Sequence, residues 1–154
     1  MPNTFTQLYV QCVFSVKGRQ SLIRNDWKEE LHKYITGLVQ HRGHKLIAIN
    51  CMPDHTHIFI GMKPDQSLSD LVRDIKAISS KFINEQRWVY GKFSWQEGYG
   101  AFSYSHSQLD AVVRYIRDQE KHHHRRTFQE EYLELLKKFN IEFKDEYVFK
   151  SLDN

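Results

Sequence analysis

The sequence predicts an α+β fold, one antiparallel four-stranded sheet with helices on one face. Three observations predict it. Strand-type and helix-type hydrophobic periods alternate in the order βαββαβ. The middle ββ step is broken only by Pro53 and Asp54, a turn-sized interruption. The two apolar stripes between strands recur at helical spacing for long enough to cover a sheet face. This is the order of a split-βαβ, ferredoxin-like sheet. Two further amphipathic segments follow it, and residues 1–154 read as a single domain.

Each element has its own signal. Residues 4–16 are rich in Thr, Tyr, Val and Phe and predict the first strand, with a basic loop at residues 17–19 after it. Asp26 and Glu29 have capping-box spacing, and Trp27, Leu31, Tyr34, Ile35 and Leu38 recur at helical intervals until Gly43. Residues 44–52 and 55–62 predict the paired strands. Ser67 or Ser69 opens a long helix with the stripe Leu68, Leu71, Val72, Ile75, Ile78, Phe82 and Ile83, ending near Trp88. Residues 93–105 predict the fourth strand, with Gly98 and Gly100 marking a bulge or a close approach. Ser107 with Asp110 predicts the start of a helix carrying Leu109, Val112, Val113 and Ile116. Thr127 with Glu130 predicts the start of a last one, ending near Asn140. The tail 141–154 carries Phe143, Tyr147, Val148 and Phe149 and is expected to dock.

Composition excludes several classes. With 40% apolar and 27% charged residues the chain is globular. No apolar run approaches the roughly 20 residues that span a bilayer, and the N terminus lacks the zones of a signal peptide. A cytoplasmic protein with no membrane partner is expected. Cys12 and Cys51 lie in apolar runs and are expected to be reduced core thiols. Lys and Arg exceed Asp and Glu by 22 to 19, a net +3 that attracts polyanions only weakly. The unusual count is nine histidines.

Two of these form His55-Thr56-His57 at the start of the third predicted strand. Strand alternation points both imidazoles to one face with Cα atoms roughly 6.7 Å apart, a spacing from which both reach one divalent ion. Spacing alone is a weak signal, because chance supplies about 0.5 His-x-His matches in so histidine-rich a chain, and His122 with His124 makes another. The ordinary reading is a pair of half-exposed surface histidines. Thr56, Ile58 and Ile60 share the opposite face, so the helix-covered core lies on their side and the histidines face away from it.

Tyr115 and Gln119 stand at i and i+4 of a predicted helix, so a phenol and a neutral oxygen donor share one face. A lone helical tyrosine is ordinarily a snorkelling core residue. Around it Arg114, Arg117, Lys121, Arg125 and Arg126 outnumber Asp118 and Glu120, an excess that suits a phosphate backbone. Gly98-Tyr99-Gly100 with Phe102, and Leu8-Tyr9-Val10, resemble the paired aromatic motifs of an RNA-recognition sheet. That signature belongs on a third strand, whereas here it falls on the fourth and Glu97 stands where a basic residue is expected. Some of these aromatics are expected to be core, and one or two to stack on bases.

Taken together, MPDHTHIFIG, SWQEGYGAFSYS and YIRDQEKHHHRRTFQEEYLELLKKF resemble the single-tyrosine HUH transposases of the smallest bacterial insertion sequences, the IS200-like family. The resemblance extends over nearly the whole chain. It departs at Thr56, where the family carries a bulky hydrophobe. It implies that His55 and His57 bind a divalent metal, Mg2+ or Mn2+, with Gln119 as a third ligand and Tyr115 as the nucleophile. It further implies metal-dependent cleavage and strand transfer of single-stranded DNA through a 5′-phosphotyrosine, with C-terminal helices carrying the tyrosine. The expected partners are single-stranded DNA with a hairpin at the element ends and a second copy of the chain, in a homodimer with composite active sites. Lys17, Arg19, Arg73, Lys76, Arg114, Arg117, Lys121, Arg125 and Arg126 are the expected DNA-binding residues. The alternative is a non-catalytic ferredoxin-like nucleic-acid-binding module.

Overall fold

A computed structural model of the chain describes residues 3–123 and 127–143. Its elements are β1 (Tyr9–Ser15), α1 (Asn25–His41), β2 (Lys45–Met52), β3 (His55–Gly61), α2 (Leu68–Gln86), β4 (Gly100–Tyr104), α3 (Leu109–Arg117), α4 (Gln119–His123) and α5 (Phe128–Lys138). The strands form one sheet in the order β2-β3-β1-β4, every neighbouring pair antiparallel. This is the expected ferredoxin-like arrangement.

Alternation along β1 and β3 divides the core in two. Cys12, Phe14, Ile58 and Ile60 meet Trp27, Leu31 and Ile35 of α1 and Leu71, Val72 and Ile75 of α2. The other face is covered as well: Val13 and Phe102 pack against Phe128, Leu135 and Leu136 of α5, while Phe59 packs against Val112 and Ile116 of α3. The C-terminal helices therefore form a third layer. Phe143 joins that layer, and the rest of the tail expected to dock, residues 144–154, lies outside the described residues.

Several boundaries differ from expectation for local reasons. β1 is shorter than residues 4–16 because the chain up to Leu8 is exposed and makes no ladder. Asp26 does not cap α1. The helix begins one residue earlier, and Asp26 pairs with Arg24 at 3.1 Å from within the first turn, where a carboxylate favours the helix dipole. Ser67 caps α2 by accepting from Asp70 N. The start expected at Ser107 and Asp110 is replaced by a capping box of Ser105 and Gln108 over a single 3-10 turn leading into α3. Thr127 and Glu130 form the expected box on α5.

The predicted fourth strand is mostly loop. Only Gly100–Tyr104 pairs with β1, and Trp95 makes an isolated bridge with Val16. Gly98 sits at φ +87°, a conformation that favours glycine. Gly100 is needed for space, since a Cβ there would lie 2.7 Å from the Tyr132 ring of α5. Both cysteines are free and buried, and burial pushes each thiol up to about 12.

Candidate active site

The three-layer packing encloses the histidine pair. His55 and His57 are both 0% exposed, so the half-exposed surface reading is wrong: they face away from α1 and α2 as expected, into a second layer formed by α3 and α5. Thr56 fits its place on the first face, where its hydroxyl donates to Asn50 O at 3.4 Å and meets Cys51 Sγ at 3.2 Å.

Glu131 of α5 organises the cluster. It is 1% exposed, and its Oε1 lies 3.1 Å from His57 Nε2 and 3.4 Å from His55 Nε2. Its Oε2 accepts a hydrogen bond from the Tyr115 hydroxyl. The Tyr115 ring meets His57 edge-on, with centroids 5.9 Å apart at 84°. Nucleophile candidate, histidine pair and carboxylate thus come together within one chain. On the far side of His55, Asp54 Oδ1 bonds Nδ1 at 2.7 Å. Burial alone would push His55 down, but its hydrogen bonds and charge interactions with Asp54 and Glu131 outweigh burial and raise it above the ordinary histidine value.

Tyr115 and Gln119 do not share one unbroken helix. α3 stops at Arg117 and α4 begins at Gln119, with Asp118 between them. The break is held by Asn50, whose Nδ2 donates to Ile116 O at 2.8 Å and Arg117 O at 3.4 Å. These are carbonyls of the last turn of α3, where the helical ladder runs out. Lys28 ties α4 to α1 through Glu120 at 3.1 Å. Gln119 is 0% exposed; its Nε2 donates to Tyr115 O at 3.3 Å, and its Oε1 is buried with no partner among the described residues. A buried amide oxygen left unbonded is costly, a cost that a cation or a water would relieve.

His55, His57 and Glu131 each offer a ligand atom, all within 4.8 Å of one another. Two imidazoles with a carboxylate suit a divalent ion. A cavity of about 480 Å³ lined by Tyr104, Gln108, Val112, Tyr115, Glu131 and Lys138 opens beside the phenol.

The predicted basic residues have different surroundings. Lys17, Arg114, Arg117 and Lys121 are exposed, and Arg19 is half-buried at φ +57°. Arg73 is exposed but paired with Asp70 and Asp74, each at 3.2 Å. Lys76 is committed elsewhere: its Nζ donates to Gln96 O at 2.8 Å and to Gly98 O, anchoring the loop before β4, and burial lowers it to about 8. Arg125, Arg126 and His124, with the side chains of His122 and His123, lie outside the described residues. Phe102 cannot stack on a base as it stands, being 2% exposed against Phe139, whereas Tyr99 is 37% exposed.

Glu131 and Gln11 escaped the sequence reading. Glu131 falls between Phe128 and Leu135 on the buried stripe of α5, and a carboxylate in an apolar register was the available signal. Gln11 interrupts a strand of Tyr, Val, Cys and Phe in the same way.

The family model described as "Transposase IS200 like" matches residues 4–119. The chain belongs to this family of single-tyrosine transposases. The ISDra2 transposase TnpA of Deinococcus radiodurans is 23% identical over 120 residues, covering 73% of this chain and 84% of that one. A crystal structure of a D. radiodurans R1 chain described as a transposase shares the fold at TM-score 0.62 and 20% identity, over 76% of this chain and 94% of that one. A REP-associated tyrosine transposase bound to a REP hairpin shares it at TM-score 0.60 and 16% identity, over 79% and 72%. No helix among the described residues of this IS200-like chain is long and apolar enough to cross a membrane.

Proposed function

We propose that this transposase cleaves and rejoins single-stranded DNA through Tyr115, with a divalent metal held by His55 and His57. The observation that carries the reading is the shared carboxylate: Glu131 bonds the Tyr115 hydroxyl with one oxygen and reaches both histidines with the other. A nucleophile and a ligand pair joined in this way suit phosphoryl transfer.

Gln119 Oε1 and Glu131 Oε1 are the oxygen donors that would complete the metal site. When bound, the cation polarises the scissile phosphate and stabilises the departing 3′ oxygen. Glu131 Oε2 orients the phenol and takes its proton as the Tyr115 oxygen attacks phosphorus. The phosphorus bond to the 3′ oxygen breaks, and the 5′ end is stored as phosphotyrosine. Attack by a DNA 3′-hydroxyl reverses the step, returns the proton to Tyr115 and joins the strands. Asn50 holds the end of α3 and so the height of Tyr115 over the pair.

The substrate is single-stranded DNA carrying a hairpin, a proposal supported by the family and by the similar transposase bound to a REP hairpin. Lys17, Arg19, Arg114, Arg117 and Lys121, together with Arg125 and Arg126, are proposed to face its phosphates. The site is proposed to assemble within one chain, because Tyr115, His57 and Glu131 of the same chain are in contact. Mixing Tyr115→Phe with His57→Ala tests this. Restored activity would establish a composite site in a dimer, and no restoration supports a site within one chain.

The deciding experiment incubates the protein with single-stranded DNA from the flanks of its own gene, with and without Mg2+. A denaturation-resistant protein–DNA adduct is expected only with the cation, and none with Tyr115→Phe. An adduct from Tyr115→Phe would overturn the proposal. Salt-sensitive binding by the parent with no adduct would favour the non-catalytic module.

A further inference from the structure

Behind the histidine pair lies a buried polar chain that the reaction leaves unused. Gln11 is 0% exposed and stands on the interior strand β1. Pairing sets Val13 beside His57 and Tyr9 beside Tyr104, so Gln11 is the diagonal neighbour of both. Its Nε2 donates to His57 Nδ1 at 2.8 Å, and its Oε1 accepts from the Tyr104 hydroxyl at 2.8 Å. Tyr104 is wedged edge-on between Phe59, at 5.9 Å, and Phe139, at 5.5 Å. Burying an amide in a strand costs free energy unless both its ends are bonded. Here both are, and one end meets a candidate metal ligand.

An imidazole that offers Nε2 to a cation must carry its proton on Nδ1, and the partner of Nδ1 decides whether it does. With Gln11 donating to Nδ1, the proton sits on Nε2 and serves the 3.1 Å bond to Glu131. Turned over, the same amide accepts from Nδ1–H and donates to the Tyr104 oxygen, which can act in either sense. We propose that Gln11, held by Tyr104, is the positioning residue of His57: it fixes the ring in both tautomers and turns over when a divalent cation takes Nε2. The proposal rests on the reading of His55 and His57 as metal ligands. Neither a carboxylate nor an aliphatic side chain at position 11 would serve both states, since a carboxylate only accepts and an aliphatic chain does neither.

The test titrates the full chain with Mg2+ and follows the histidine rings by long-range 1H–15N NMR, with Mn2+ affinity measured in parallel. The expected pattern for His57 is Nε2–H without the cation and Nδ1–H with it. Gln11→Leu is expected to mix the tautomers in the cation-free protein and to weaken Mn2+ binding about tenfold. Tyr104→Phe leaves Gln11 with one partner and is expected to weaken it about threefold. A parent ring pattern and an Mn2+ affinity within about twofold of the parent, in Gln11→Leu or, should that variant not fold, in Tyr104→Phe, overturns the proposal. A parent protein that binds no Mn2+ overturns the metal reading and the turnover with it, whereas normal binding with an unmoved ring overturns only the role of Gln11.

Discussion

The two faces of the sheet are equally buried and differently made. Against α1 and α2, Cys12, Phe14, Ile58 and Ile60 present apolar atoms, and the polar groups buried there are bonded one by one: Thr56 to the neighbouring strand, His32 Nε2 to Cys51 N at 2.9 Å and Ser79 Oγ to Trp95 Nε1 at 2.9 Å. Against α3, α4 and α5, the buried set includes Gln11, Asn50, His55, His57, Gln119 and Glu131. Burial therefore does not distinguish structure from function here; the convergence of buried polar groups on one cluster does. An apolar face tolerates small shifts, whereas each polar group on the other needs a partner at a set distance. Substitutions on the first face should change stability, and those on the second should change chemistry.

The sharpest separation is expected from His57→Ala. It should abolish Mn2+ binding in calorimetry and abolish the covalent adduct, while far-UV circular dichroism stays that of the parent. An unfolded His57→Ala would show that the polar face also holds the fold. One residue along, Ile58→Ala should do the reverse and cost about 2–5 kcal/mol in urea unfolding, with adduct yield per folded molecule unchanged.

Gly100→Ala probes the seam between β4 and α5. A Cβ 2.7 Å from the Tyr132 ring must displace that ring, at an expected cost of about 1–3 kcal/mol. Because Glu131 precedes Tyr132 on α5, the adduct should also form more slowly. A fully stable variant with parental cleavage would show that α5 shifts without disturbing the site.

The smallest expected effect is on pH dependence. His55 is raised above its ordinary value, so its charged form stabilises the fold below the unfolded-state pKa, and that contribution disappears as pH rises through the folded one. In chelator, the melting-temperature gap between the parent and His55→Ala should widen from about pH 8 to about pH 5.5. Mn2+ affinity should fall over the same interval, because proton and cation compete for one ring. A gap that narrows on acidification would mean that the Asp54 and Glu131 interactions do not outweigh burial.

Much of this was legible one residue at a time. Period-2 runs around Ile58 and Ile60 and period-3.6 stripes such as Leu71, Val72 and Ile75 are local signals, and they predicted the βαββαβ order. His55, His57 and Tyr115 stood out as candidates because rare side chains stood in a recognisable motif order, and the fold brings them together. Glu131 was not, because FQEEYLELLKK reads as an ordinary amphipathic helix in which one of several glutamates happens to face inward. The capping positions of α1 and α3 slipped by one or two residues because Arg24 and Ser105 offered local partners that spacing rules do not rank. Which of the aromatics around β4 are core was not legible, because the strand signal of Phe102 does not reveal that α5 covers it.

The sequence by itself determined the element order, the face on which each strand residue lies, and the family, since these follow from alternation, helical periodicity and motif order along the chain. Only the tertiary structure decided that a third layer covers the histidines, that Glu131 joins them to Tyr115, and that Gln11 stands behind His57. Those contacts join residues 16 to 74 positions apart. Their existence depends on how α3 and α5 settle on the second face, a packing outcome that no local pattern encodes.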